Sequence, residues 1–589
     1  MHLKTLAAAV AAAALTVGAA ACGGDSPGGA GGSATGPTAV GGDAPAKKGG
    51  KLTVLAAGDV DYVDPGQSYY VFGLMVSTAV NRQLYTYKPG DNETATPDLA
   101  GGPPEISGDG RTITVKLRSG VRYAPPVDRE VKAADVKYAM ERAFSANVPN
   151  SYALAYFKDI KGAPRSPGRI RDIPGIRTPD DHTLVFELTR PAAPLVSQAL
   201  AMPITVPVPR EYAAKFDRRT PTDYDQYVAF TGPYMIRNDP RTGKLVGRKP
   251  GRLIQLVRNP NWDPETDYRP AYLDTIDIEE GNTDAAVSSR RVLENSGLVQ
   301  GDGAPPAAVV KQAVTRRKDQ IVFVPAGANR YISMNTTIKP FDDINVRKAV
   351  IAAFDRRAMQ LTRGGVTAGD IATHFLPPQF PGFDEAGGMK GPDVDFLRNP
   401  DGDMKLAAEY MKKAGYPSGR YTGNEQFLMV ATNADPGKKS AEVALAQFQK
   451  LGFKMNFRTA PQDTLYTKFC NVPKAKVVIC PNVGFSKDFL DPQSMLDPTF
   501  NGKNILEAGN SNWSQFDDPE VNAKMEAAGR IPPGPERNKA WGEIDRMVTE
   551  RAAAIPWFWD KQPLIASEDV RAVANAYQTT WDLSFTSLN

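Results

Sequence analysis

The sequence predicts a mixed α/β protein, and two stretches of different rhythm predict it. Between residues ~93 and ~229 short runs alternate apolar with polar residues, the pattern of half-buried antiparallel strands. After residue ~329 apolar strands follow amphipathic helices in turn, the pattern of parallel βαβ units. The chain has 589 residues, and at roughly 100–200 residues per domain it holds more than one core.

The elements follow in chain order. Lys4 supplies a positive start, and Leu6 through Val17 is mostly apolar but too short to cross a bilayer. Ala19, Ala20 and Ala21 then run into Cys22. This resembles the bacterial lipoprotein signal, with Ala19 where such signals usually carry Leu. The resemblance implies removal of residues 1–21, acylation of Cys22 and a lipid anchor on the outer face of the cell membrane. From Gly23 to Gly50, 11 of 28 residues are Gly and no apolar period exists. Residues 22–50 are therefore expected to be a tether with an r.m.s. length of about 30 Å.

At Lys51 the pattern changes to KLTVLAAG, a strand, closed by the turn Asp64-Pro65-Gly66. RTITVKLRS and HTLVFELTR alternate with period two, through Ile113, Val115 and Leu117 and through Leu184, Phe186 and Leu188. Between them Val136, Ala139, Met140, Ala143 and Phe144 recur at helical spacing, so a helix is expected to cover that sheet. Later, QFLMVAT (426–432) reads as a strand and 439–451 as a helix stopped by Gly452. Phe453, Met455 and Phe457 then read as a second strand, completing a right-handed βαβ unit. Two more helices show apolar faces, through Val346, Val350 and Phe354 and through Ala407, Tyr410 and Met411. No fixed-period repeat is present, which excludes solenoids and propellers.

Composition narrows the function classes. Lys and Arg number 70 against 66 Asp and Glu, a net charge of +4, too little basic excess for a nucleic-acid partner. His2 falls in the leader, leaving His182 and His374, so a multi-His metal site is excluded. HExxH, GxxxxGK[ST], GxSxG and CxxC are all absent. No metal, cofactor or catalytic residue is assigned. A hydrolase built on carboxylates alone stays open, because chance supplies many Asp and Glu pairs. Cys470 and Cys480 form an even pair in an exported chain, and a disulfide is expected between them.

Several ordered blocks carry a more specific resemblance. They are GDGRTITVKLRSGVRYAPP with VKAADVKYAMERAF, TGPYMI (231–236), RNPNWDP (258–264), RYISMNTTIKPFDDINVRKAVIAAFDR (330–356) and GNSNWSQFDDPEVNAKM. Together they resemble the peptide-type solute-binding proteins of ABC importers, the dipeptide- and oligopeptide-binding lipoproteins. The resemblance covers residues 51–589. It implies a two-lobed periplasmic-binding-protein-like fold that closes as a hinge: lobe I over 51–328 with an inserted subdomain at about 93–229, lobe II over 329–556, and a return to lobe I over 557–589. The chain would cross between lobes near 326–330 and near 555–559.

KVVIC (476–480) leads into PNVGFSKDFLDP, and open α/β sheets bind ligands beyond the carboxyl ends of strands. A loop at 484–491 is therefore expected at the site. The family motif here usually reads G-W-x-x-D, its Asp pairing the peptide's ammonium group. Gly484, Phe485 and Asp488 take the matching positions, and Phe485 for Trp keeps an apolar platform while losing an N–H donor. Thr231, Gly232, Asn335 and Asn512, from the matching blocks, and Asp59, which follows the first strand, are further candidates.

The implied function is capture of a di- or oligopeptide by a monomer and delivery to ABC permease subunits, with no chemistry on the ligand. The alternatives are the same fold carrying a nickel complex, sugar, opine or signalling peptide, or an extracellular hydrolase.

Overall fold

In the computed structural model KLTVL forms β1 (Lys51–Leu55), where Leu52 and Val54 are fully buried and Thr53 is not. The structure describes residues 39–41, 45–58, 60–68, 71–91, 95–150, 152–433, 436–460, 464–505, 507 and 510–589. Cys22, Asp59 and residues 1–21, expected as a leader, lie outside the described residues. β1 is an inner strand of a first sheet, parallel to Thr275–Glu279 on one side and to the edge strand Leu298–Gln300 on the other. Leu253–Arg258 and Tyr234–Ile236 extend it antiparallel. Helix α1 (Val71–Val80) packs its buried Met75, Val76 and Ala79 in the same core as Leu52 and Val54.

The alternating run RTITVKLRS becomes β2 (Thr112–Lys116), and HTLVFELTR becomes β3 (Thr183–Glu187). They pair antiparallel from Thr112 opposite Glu187 to Lys116 opposite Thr183, within a separate four-stranded sheet. Helix α2 (Ala133–Ala143) lies on it, with Val136, Met140 and Ala143 packed among Ile113, Val115, Leu184 and Phe186. At its C-terminal end Arg142, fully buried, is clamped between two carboxylates. Nη1 and Nη2 donate to Asp64 at 2.9 Å, and Nε and Nη2 donate to Asp217 at 3.1 and 2.8 Å. The Asp64 turn expected from the sequence is thus also an ion-pair partner that fastens α2 beside the first sheet. A short helix α3 (Tyr152–Tyr156) follows.

A second six-stranded sheet is built around two long strands, β4 (Ile321–Met334) and β7 (Ala554–Ile565), which run antiparallel side by side. Their ladder runs from Ile321 opposite Ile565 to Ser333 opposite Ala554, with a register shift between Pro325 and Asn329. The first-sheet end of this ribbon is fixed by an antiparallel bridge of Val299 to Ala566. QFLMVAT forms β5 (Gln426–Thr432), parallel and in register with Lys454–Ala460 across helix Gly437–Lys450, as the βαβ reading expects. β6 (Ile479–Ser486) sits between β5 and β4. Alternation sorts the faces: Ile332, Met334, Phe427 and Met429 pack with Val346, Val350, Phe354 and Phe448, while Tyr331, Val430 and Val483 face the core that holds Trp541 and Ile544.

Cys470 and Cys480 are joined by a disulfide, with Cα atoms 6.3 Å apart. The expected tether differs where it is described. Ala39 bridges to Val573, Val40 N–H donates to the Ala572 carbonyl at 2.9 Å, and Gly49 N–H donates to the Tyr272 carbonyl at 2.8 Å. Val40 is buried in the core of the first sheet. One apolar side chain with a partner groove is enough to hold this stretch on the body, and a low apolar content hid it.

Candidate ligand-binding site

The segment expected as a loop at 484–491 begins as strand. Gly484, Phe485 and Ser486 complete β6 because β4 supplies partners at Arg330, Asn329 and Ala328. Pairing with β4 carries the strand as far as Ser486, and the chain leaves the sheet at Lys487. The exit opens into a cavity of about 1930 Å³, lined by Gly484, Phe485, Lys487 and Asp488 from this segment. Tyr156 at the end of α3, Arg330 and Asp560 from β4 and β7, and Tyr577 near the C-terminus are also in its walls.

Asp488 is the site's distinctive group. Burial pushes its carboxyl up to about 6, and a hydrogen bond donated by the Tyr156 hydroxyl acts in the opposite sense. Among the described residues no ammonium or guanidinium lies at ion-pair distance from it. The Tyr577 hydroxyl donates to the Asp488 carbonyl at 2.7 Å, fixing the backbone at the turn. Tyr156 meets Phe489 edge-on at 5.0 Å, and Tyr87 lies tilted against Tyr577 with ring centres 4.2 Å apart. A half-buried carboxylate among aromatic rings, without a cation, attracts one from a ligand because desolvation strengthens the pairing.

The neighbouring Lys487 does not neutralise it. Its Nζ donates to the carbonyls of Ala326 and Ala576 at 3.3 and 3.2 Å and lies 5.9 Å from the Tyr577 ring centre. Burial pushes this ammonium down to about 7. Gly327 makes room for it at φ +56°, since a Cβ there would meet Lys487 Nζ at 2.2 Å.

The other predicted residues do not line the cavity. Thr231 is buried, its Oγ1 accepting from Arg82 N–H at 2.9 Å, and Gly232 N–H donates to the Val80 carbonyl at the end of α1. Asn335 donates to the Val477 carbonyl at 3.2 Å and accepts from Thr337. Asn512 closes a loop on Phe516, donating at 2.8 Å and accepting at 3.0 Å. In all four positions the polar groups are used up within the fold, which explains why they sit in recognisable blocks. Asp59 lies outside the described residues. His374 is fully buried. Its Nδ1 is 2.7 Å from Asp545 and its Nε2 3.0 Å from the Gly388 carbonyl.

Sequence reasoning missed Tyr156, Tyr577, Arg330 and Asp560. The tyrosines at 152 and 156 do share a helix face in YALAY, a signal that was there to read. Tyr577 lies 89 residues after Asp488, and nothing local links them.

Residues 94–507 match the family described as Bacterial extracellular solute-binding proteins, family 5 Middle. The chain is 26% identical over 464 residues to Heme-binding protein A of Haemophilus influenzae, covering 77% of each chain. It is 25% identical over 465 residues to Di/tripeptide-binding protein 3 of Pseudomonas aeruginosa, covering 77% of this chain and 79% of that one. Among solved structures, Clavulanic acid biosynthesis oligopeptide binding protein 2 superposes with a TM-score of 0.80 at 27% identity, covering 92% of this chain and 96% of the other. Among the described residues no helix is long and apolar enough to cross a membrane.

Proposed function

The chain belongs to the bacterial extracellular solute-binding proteins of family 5, and from that premise we propose that it captures a di- or oligopeptide and hands it to the permease of an ABC importer. The observation that carries the peptide reading is Asp488: a carboxylate in a cavity of about 1930 Å³, raised by burial and lacking a cationic partner among the described residues. A peptide's ammonium group supplies that partner, and apolar and aromatic walls accept varied side chains. Relatives named as peptide-binding proteins support the same reading.

On this reading lobe I comprises 51–328 and 557–589, lobe II comprises 329–556, and β4 and β7 are the hinge. Cys22 carries the lipid anchor, and the protein works as a monomer without altering its ligand. His374, the imidazole paired with a carboxylate, is not among the residues lining the cavity, which favours binding over hydrolysis.

The test is calorimetric titration of the parent and Asp488→Asn with a peptide pool and with the same pool N-acetylated. Removing the carboxylate leaves a desolvated ammonium without its partner, costing roughly 3–5 kcal/mol, so binding weakens about a hundred-fold or more. Equal affinity for free and acetylated peptides in the parent would return Asp488 to a structural role. Appearance of cleaved peptide during the titration would restore the hydrolase.

A further inference from the structure

Residues 487–490 follow β6 and so fall in lobe II of the two-lobed reading, yet their polar partners lie in lobe I. Lys487 N–H donates to the Gly327 carbonyl at 3.1 Å, and Lys487 Nζ donates to the carbonyls of Ala326 and Ala576 at 3.3 and 3.2 Å. The Asp488 carboxylate accepts from the Tyr156 hydroxyl, and the Asp488 carbonyl accepts from the Tyr577 hydroxyl at 2.7 Å. Leu490 N–H donates to the Tyr87 hydroxyl at 3.2 Å. Among the described residues, every side-chain hydrogen bond of Lys487 and Asp488 reaches lobe I.

Lobe I is shaped to receive this segment. The β4–β7 ladder breaks between Pro325 and Asn329, which leaves the carbonyls of Ala326 and Gly327 to accept from Lys487. Gly327, at φ +56°, keeps the space that the ammonium fills. The two receiving tyrosines at 87 and 577 are braced together, because Asn575 Nδ2 donates to the Tyr87 carbonyl at 3.0 Å and their rings lie 4.2 Å apart. Phe489 is fully buried and meets Tyr156 edge-on at 5.0 Å, in one apolar cluster with Leu490, Tyr87 and Tyr152. Parting the lobes therefore exposes an aromatic side chain and breaks several hydrogen bonds at once. Each of these contacts joins two protein groups, so none of them needs a ligand.

We propose that residues 487–490 are a latch that holds lobe II closed on lobe I in the free protein, so that solute enters through a minor open form. The latch rests on the two-lobed reading and on the contacts above, and it does not depend on the solute being a peptide. An open form populated at roughly 0.1–10% slows capture by that same fraction. Lys487 is thus a positioning residue: it ties the turn that carries Asp488 to the far lobe and touches no solute itself.

The experiment uses the chain from residue 22 on, with Cys22→Ala so that no acyl group is carried, and compares this parent with Lys487→Met and Tyr577→Phe. Small-angle scattering reads the lobe separation, and stopped-flow mixing with a peptide pool reads the association rate. The free parent is expected to keep the same radius of gyration when peptide is added. Both variants are expected to be larger than the parent when free, to contract to its dimensions with peptide, and to associate ~ten-fold or more faster. Tyr577→Phe removes a single hydroxyl, so it carries the test if Lys487→Met fails to fold, as judged by circular dichroism.

A parent that contracts on adding peptide, or folded variants with the parent's free dimensions and association rate, overturns the latch and leaves Asp488 and the peptide reading standing. If no peptide binds, the peptide reading fails and the free proteins alone decide: expansion of the variants upholds the latch, and equal dimensions overturn it.

Discussion

The Tyr156 hydroxyl donates its hydrogen bond to the Asp488 carboxylate across 332 residues of sequence. Tyr156 closes α3, beside the four-stranded sheet, and Asp488 follows the end of β6 in the second sheet. The contact joins two walls of the cavity through the group that the peptide reading assigns to the ligand. An arriving ammonium competes with the phenol for that carboxylate or joins it there.

Stability should fall as pH rises through this group's titration. The folded carboxyl sits at about 6 and the ordinary value is 3.8, so the folded state holds the proton more tightly than the unfolded chain. That contribution is fully present below pH ~3.8 and is lost between there and pH ~6. Asp488→Asn, a mimic of the protonated form, should therefore be more stable than the parent at pH 7–8 by on the order of 2–3 kcal/mol and similar to it near pH 4. Denaturant titrations at the two pH values check this. A variant that loses binding and gains stability without ligand is a ligand anchor, whereas a folding residue would lose both.

Binding of a cation at Asp488 should release a proton near pH 6, so peptide affinity rises between pH 5 and 7. Tyr156→Phe deletes the donor that lowers this carboxyl, and the midpoint of that rise should move up by ~0.5–1 pH unit. Calorimetry in buffers of different ionisation enthalpy reads the proton directly, and an unmoved midpoint would mean that the phenol does not act on the carboxylate in solution.

Two glycines that look alike in sequence should respond differently to alanine. At Gly232 a Cβ would meet backbone, Val80 C at 2.5 Å and Asn81 N at 2.6 Å, so Gly232→Ala should destabilise by about 3 kcal/mol through a forced shift of the end of α1. At Gly484 the Cβ meets the mobile end of Arg330. Gly484→Ala should therefore melt close to the parent in thermal unfolding.

The bridge between Cys470 and Cys480 closes a short loop ahead of β6. Reducing it should cost about 3 kcal/mol by loop entropy and should weaken ligand binding, because β6 delivers Asp488. Thiol labelling of the unfolded, unreduced protein should find neither cysteine free, and melting with and without reductant measures the stabilisation.

Arg142 offers a test of how the separate sheets are held together. It is fully buried between Asp64 and Asp217, so Arg142→Met would leave two carboxylates enclosed without their cation. A loss of at least 3–5 kcal/mol is expected, read as a fall in the urea midpoint.

The sequence by itself determined the elements and their local partners. Period-two alternation in RTITVKLRS and HTLVFELTR was sufficient to define β2 and β3 and their antiparallel pairing, and the 426–457 rhythm to define a parallel βαβ unit, because one-sided burial writes its period directly into the chain. The motif around Asp488 was legible for the same reason that it is short: its residues are neighbours. Tertiary structure decided the rest. Whether Gly484 to Ser486 formed loop or strand depended on Arg330, Asn329 and Ala328 being there to pair with them. Whether residues 39 and 40 swung free depended on a groove beside Ala572 and Val573. The charge balance of the cavity wall depended on Arg330 and Arg363 meeting at the Asp560 carboxylate, 197 residues beyond Arg363. Hydrogen bonding across a sheet and pairing of charges in a cavity are contacts between residues distant in sequence, and no local period records them.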